Sequence, residues 1–490
     1  MSTAFGPAAV GAILFLMLVG WCFTHRRVDR SLAALGLYLG LLAGYLKLRT
    51  GSSAFTLLPA ILVAAIAAGA LIRALRSHSR LSIPPLGGLV IAFTLIVIVE
   101  MFNPHGRNIP GSVAGLAQDL EYMPLFFLGF AFIRRKTQVE KLLLILVVCA
   151  SLGGLVSFYQ STLTPAQFAS WGPGYSERVL GTGPYAGAAR ISYDNGVAYV
   201  RPFGLGSDIG DGGLIAALAL PGLIALMLGR NKAIRVASVP LAVGIALAAA
   251  TSGSRASLVV FVICALVFAL LAATSRAGVR LIVGLTIAGV LVYGAFQFLG
   301  PGNNSATRAQ SITPSHILST FSQHSGGSLR IFGTYVLKYP LGLGTGSVGP
   351  AASTFSNVTS ETNTLNTETE WNFLLLETGL AGLLVFVIMN LRLMWVSLTR
   401  IRRIADQQLR LHLAALAAPV FGLIAAGFAS PTTATVPQAP YFWFVAGVLS
   451  YWLIAAMGGS QPNLDTASDV GDPTPLSARE HERTPISVGA

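Results

Sequence analysis

Apolar residues along this chain gather into runs of roughly 20, the length a helix needs to cross a bilayer. They fall at about 7–24, 31–48, 54–72, 85–102, 120–133, 141–161, 208–229, 234–251, 256–273, 281–299, 372–391, 413–430 and 440–457. The fifth run is short, and only a tight turn separates the eighth from the ninth, so the pattern predicts twelve or thirteen membrane helices. The expected fold is an all-α polytopic membrane protein with a large outer loop before the third-last helix. Its parts are N-terminal helices over 1–161, an outer loop over 162–206 and central helices over 207–299. A large outer loop over 300–371, C-terminal helices over 372–457 and a tail over 458–490 complete it.

Basic residues orient this array. The first run has no basic region before it and is followed by Arg26, Arg27 and Arg30, the reverse of a cleavable signal peptide. It therefore reads as a retained helix with its N-terminus outside. The inner segments become His25–Arg30, Arg73–Arg80, Arg134–Lys141, Arg230–Arg235, Ser275–Arg280, Arg392–Arg410 and the tail. They hold 22 of the 32 Lys and Arg residues, as the positive-inside rule requires. Lys47 and Arg49, in a short outer turn, run against the alternation. The two long outer segments are rich in Gly, Pro, Ser, Thr and Asn, which mark loops, and loops of that length are functional or disordered. The tail, rich in Pro, Asp, Ser and Thr, reads as disordered. No internal repeat is evident.

Composition agrees. The chain is 53% hydrophobic and 10% charged, against roughly 25% charged for a soluble domain, and its mean hydropathy is +0.69. Too few charges exist to cover a water-facing surface, so membrane lipids are the solvent for much of it, and no soluble globular domain is expected. The net charge of +13 belongs to the short basic loops. No basic stripe interleaved with aromatics is present, so nucleic acid is not an expected partner. Cys22, Cys149 and Cys264 all lie inside apolar runs, with no disulfide or metal-ligand spacing.

Three outer arginines carry candidate chemistry. Arg201 opens Arg201-Pro202-Phe203-Gly204 before the seventh helix. Arg255 ends Ser252-Gly253-Ser254-Arg255, and Arg330 precedes Tyr339-Pro340-Leu341-Gly342-Leu343-Gly344. The guanidinium fork suits phosphate oxygens, and several together neutralise a pyrophosphate. Alternatively each caps a helix or pairs with a carboxylate such as Asp208 or Asp211. Glu368 and Glu370 open the eleventh helix, where a carboxylate serves either as general base on a sugar hydroxyl or as a complement to the helix dipole. Glu377, one to two turns inside that helix, should face a polar cavity or a partner and reads as structural.

Ser254-Arg255 after an apolar helix, the run from Pro340 to Gly346 and the stretch from Asn372 to Gly382 resemble the O-antigen ligase and O-antigen polymerase superfamily of the bacterial cell envelope. The resemblance covers roughly 190–400; the N-terminal third matches only in hydropathy. It implies a multi-pass protein of the bacterial inner membrane. Such a protein moves a glycan from an undecaprenyl-pyrophosphate donor to a saccharide or lipid-linked acceptor at the outer face, with no metal, nucleotide sugar or other cofactor. It further implies that Arg201, Arg255 and Arg330 grip the pyrophosphate. Nine residues before Glu377, ligases carry a histidine thought to act on the acceptor, and here that position is Glu368. The base is then Glu368 or Glu370, with His316 and His324 of the outer loop as substitutes, and polymerase is favoured over ligase. A secondary transporter or lipid-linked glycan flippase would instead place ionisable residues at mid-membrane and broken helices in paired halves, and the predicted helix centres carry almost none. A membrane scaffold would leave the two polar outer loops unexplained.

Overall fold

The computed structural model describes residues 5–51, 54–77, 83–105, 109–182, 191–194, 197–208, 210–252, 254–272, 325–349, 352 and 365–455. The tenth apolar run, His316, His324, the tail and the side chain of Arg255 lie outside the described residues.

Every other apolar run folds as helix. In chain order these are α1 (Phe5–Thr24), α2 (Val28–Thr50), α3 (Ala54–Arg76) and α4 (Gly87–Glu100). In α2 the turn Tyr38–Ala43 widens to a π-helix. The fifth run departs from expectation. A separate helix, α5 (Ile109–Leu120), precedes it, and a turn carrying Glu121 divides that from α6 (Pro124–Phe132). Pro124, at the first position of α6, has no N–H to continue the ladder from α5 and stops a single helix from running through.

After α7 (Lys136–Ser161) come two short helices, α8 (Pro165–Ala169) and α9 (Pro173–Leu180). An antiparallel hairpin of β1 (Ile191–Asp194) and β2 (Val197–Val200) follows, with Ile191 opposite Val200. This segment, expected to be a loop, has a core of its own made of Leu48, Phe168, Ala169, Tyr175, Val179, Val200 and Phe203. Phe168 and Phe203 lie 5.2 Å apart by ring centroids, and Tyr175 stacks on Phe203 at 5.9 Å. Arg49, one of the two residues against the charge alternation, donates to the carbonyl of Trp171 and ties this small core to α2.

The remaining helices are α10 (Asp211–Met227), α11 (Lys232–Thr251), α12 (Arg255–Ala272), α13 (Ser325–Lys338), α14 (Glu370–Arg400), α15 (Gln407–Ala426) and α16 (Gln438–Leu449). Six of the described helices are long and apolar enough to cross a membrane, and shorter apolar ones accompany them. Of the apolar window in α15, 72% is buried, against 28% in α3, so α15 stands at the centre with α10 and α3 lies at the rim. Small residues bring helices together: Ser151 and Gly154 of α7 meet Gly244 and Ala248 of α11, as membrane helix pairs require. On the outside, Val99, Leu266, Leu391 and Trp395 are all more than half exposed. Apolar surface on that scale needs lipid to cover it. The chain is a helical, multi-pass membrane protein.

Candidate functional site

Local sequence builds a tight junction around the start of α10. Gln160, the polar residue near the end of α7, is buried, and its side-chain oxygen accepts the N–H groups of Phe203 (2.9 Å) and Gly204 (2.8 Å). Its amide nitrogen donates to the Gly204 carbonyl at 2.9 Å. Asp211 then closes the following turn, its carboxylate accepting the N–H groups of Ser207 and Asp208 at 2.9 and 2.8 Å. The turn between α11 and α12 lies directly against this one, because the Ser257 hydroxyl donates to the Gly210 carbonyl at 3.2 Å. Arg201 and Arg255 thus stand on two chain segments that pack on one helix N-terminus.

The sequence reading missed two cations beside this junction. Arg178 of α9 forms an ion pair with Asp208 at 2.6 Å. Asp208, one of the carboxylates weighed as a partner for the outer arginines, is bonded to Arg178. Lys47 of α2 lies within electrostatic reach of Arg178, Asp208 and Asp211, and also of Glu121. Its disagreement with the charge alternation was the signal for it. Gln160 could have been found as an amide inside an apolar run.

The run from Pro340 and the stretch from Asn372 meet at a break in α14. Gly379 there has φ +64° and ψ −174°, a conformation essentially confined to glycine. The loop enters the break and exchanges main-chain hydrogen bonds with the helix. Leu343 N–H donates to the Leu376 carbonyl (2.6 Å), and Leu380 N–H donates to the Pro340 carbonyl (2.9 Å). Glu377, buried, accepts the N–H groups of Gly346 (2.7 Å) and Val348 (3.1 Å). The partner expected for this acid is therefore the glycine-rich loop.

The two acids at the head of α14 differ sharply. Glu370 is buried, and its carboxylate accepts the backbone N–H and the hydroxyl of both Thr432 and Thr433. Glu368 is exposed, and its N–H donates to the Asn366 side chain at 3.0 Å. Asn366 also accepts the Ser328 hydroxyl at 2.6 Å, and Asn372 donates to the Ser328 carbonyl at 2.9 Å. Arg330, exposed on α13, stands two residues from this contact, as Glu368 does on the other side.

The C-terminal end of α5 links the two regions. Glu121 interacts with Lys47, and Asp119 lies within electrostatic reach of Glu370 and Glu377. Burial, then Glu370 and Glu121, push the Asp119 carboxyl well above the ordinary range. Among the described residues no group of three or more His, Cys, Asp and Glu could hold a metal ion. Compared with known protein families and with curated proteins, the chain matches none.

Proposed function

We propose that this protein is a membrane glycosyltransferase of the O-antigen ligase or polymerase type. It takes a glycan from an undecaprenyl-pyrophosphate carrier and adds it to a saccharide acceptor at the outer leaflet of the bacterial inner membrane. The observation that carries the reading is the junction at the start of α10. The Arg201 segment and the Arg255 turn pack there, with Arg178 and Lys47 close by. A pyrophosphate leaving group needs its developing negative charge stabilised, and fixed cations with a helix N-terminus supply that.

In this scheme the acceptor hydroxyl attacks the anomeric carbon, the bond to the carrier's phosphate oxygen breaks, and the hydroxyl proton passes to a carboxylate. Of the two acids first considered, Glu368 suits that role because it is exposed. Glu370 is engaged by two threonines and serves to position the head of α14. Attack from the face opposite the leaving group inverts the anomeric centre.

The test is transfer by purified protein from a lipid-linked donor, alongside donor binding. Arg201→Ala, Arg255→Ala and Arg330→Ala should abolish transfer in folded protein, with lysine restoring it only in part, since lysine lacks the fork. Glu368→Gln should slow turnover by roughly 10²–10⁴-fold while donor binding stays near wild type. Wild-type transfer in the arginine variants overturns the reading.

A second reading, a secondary transporter or lipid-linked glycan flippase, is supported by the broken helix at Gly379 and the buried acids beside it. Movement of labelled lipid-linked glycan across sealed vesicles, without any new glycosidic bond, would favour it.

A further inference from the structure

Asp119 is 5% exposed, and among the described residues neither of its carboxylate oxygens has a hydrogen-bond partner. A buried acid without a donor is costly in its ionised form, so the surroundings decide how it is carried. The face of α5 that bears it, Gly111, Ser112 and Gly115, rests on the glycine-rich loop. A Cβ on Gly115 would come within 2.0 Å of the Gly346 nitrogen, and the Thr345 hydroxyl donates to the Ser112 carbonyl at 3.1 Å. Asp119 is one helical turn beyond Gly115 on that face. The same loop offers its Gly346 and Val348 N–H groups to Glu377.

We propose that Asp119 is held protonated and donates its hydrogen to the Glu377 carboxylate, so that the two acids form one unit fastening α5 to the break in α14. Each Glu377 oxygen accepts one backbone N–H and keeps a further lone pair for a second donor. A protonated carboxyl can supply that donor; an ionised one cannot. The charged groups around the pair favour the shared proton. α14 presents Glu370 as well as Glu377, and the turn after α5 presents Glu121 and the buried Tyr122. α4 brings Glu100 to the loop, its carboxylate accepting from Asn103 at 2.7 Å and its carbonyl from Thr345. The loop from Pro340 to Gly349 has no titratable side chain. Lys47 acts on Glu121. Two carboxylates facing each other among further acids share a proton rather than both ionising. Asp119 is thereby a positioning residue, since it stands on the face of α5 that rests on the loop bonded to Glu377.

The experiment compares thermal unfolding of purified full-length wild type, Asp119→Asn and Asp119→Ala across pH. A carboxyl raised on folding contributes stability at low pH and loses it as pH rises through its folded-state value. Wild type should therefore lose midpoint temperature on alkalinisation relative to Asp119→Asn, whose amide donates to Glu377 without titrating. Asp119→Ala should be less stable than both at neutral pH. An asparagine variant as unstable as alanine, or a wild-type-minus-Asn difference that is flat with pH, overturns the proposal. So does a midpoint that depends on added monovalent cation and is lost with asparagine, which would mean a bound ion. Infrared spectra of wild type give a check that needs no variant. A buried protonated carboxyl band should be present at neutral pH and fade in alkali, and its absence overturns the shared proton. None of these readouts involves glycan transfer.

Discussion

Four hydrogen bonds end on the Glu370 carboxylate, two from each of Thr432 and Thr433 in the connection between α15 and α16. Glu370 N–H in turn donates to the Gly427 carbonyl at 2.8 Å. A side chain that takes four hydrogen bonds from one connection holds that connection in place, and burial keeps it from a substrate hydroxyl. Glu370→Gln replaces one acceptor oxygen with a donor that faces donors, at a cost of about 1–3 kcal/mol. The expected result is a lower unfolding midpoint in detergent, with transfer per folded molecule near wild type. Transfer reduced like that of Glu368→Gln, at an unchanged midpoint, would return Glu370 to the role of base. Residue types were legible in advance here, but their surroundings were not. Glu368 and Glu370 are two positions apart in Glu368-Thr369-Glu370, and only the fold sends one to water and the other between threonines. Asp119 went unnoticed because an acid at the edge of a short apolar run looks like an ordinary loop residue.

The break in α14 is the element on which the glycine-rich motifs converge. Gly342, at φ +76°, would place a Cβ 2.7 Å from the Gly379 nitrogen, and a Cβ on Gly379 would lie 2.7 Å from the Leu341 carbonyl carbon. Gly379→Ala should therefore destabilise the protein by about 1–3 kcal/mol through backbone strain alone, with further loss from the displaced loop. Gly20 is the control: it lies in α1 with open space where its Cβ would stand, and alanine there should leave the midpoint unchanged or raise it. An equal response at the two positions would mean that the loop and helix are not locked together. Helix positions were readable from apolar runs because length alone decides them. The interlock between a run at 340 and a helix at 376 was not, since it rests on main-chain bonds that no side chain announces. The small core after α7 had a signal that went unused: Phe168, Trp171, Tyr175 and Val179 are spaced three and four apart, a helical period inside a supposed loop.

For the whole molecule, the alternation of basic loops makes a direct prediction about sidedness. Cysteines introduced at Ser305 and Ser356 should react with an impermeant thiol reagent in intact cells, and one at Ser275 should not. The native Cys22, Cys149 and Cys264 are all buried, so the wild-type background should be silent. Labelling of Ser275 with protection of the other two would invert the arrangement and remove the outer-leaflet site. The overall membrane architecture could be read from the sequence because a bilayer sets one length for every crossing. That length gives the break at Gly379 a further meaning. The 31 residues of α14 extend about 46 Å at 1.5 Å per residue, well beyond a hydrocarbon layer of roughly 30 Å. Residues 380–400, after the break, extend about 32 Å and cross the layer unaided. The stretch before the break, with Glu370 and Glu377, is therefore not needed for the crossing, and protein rather than lipid surrounds its acids.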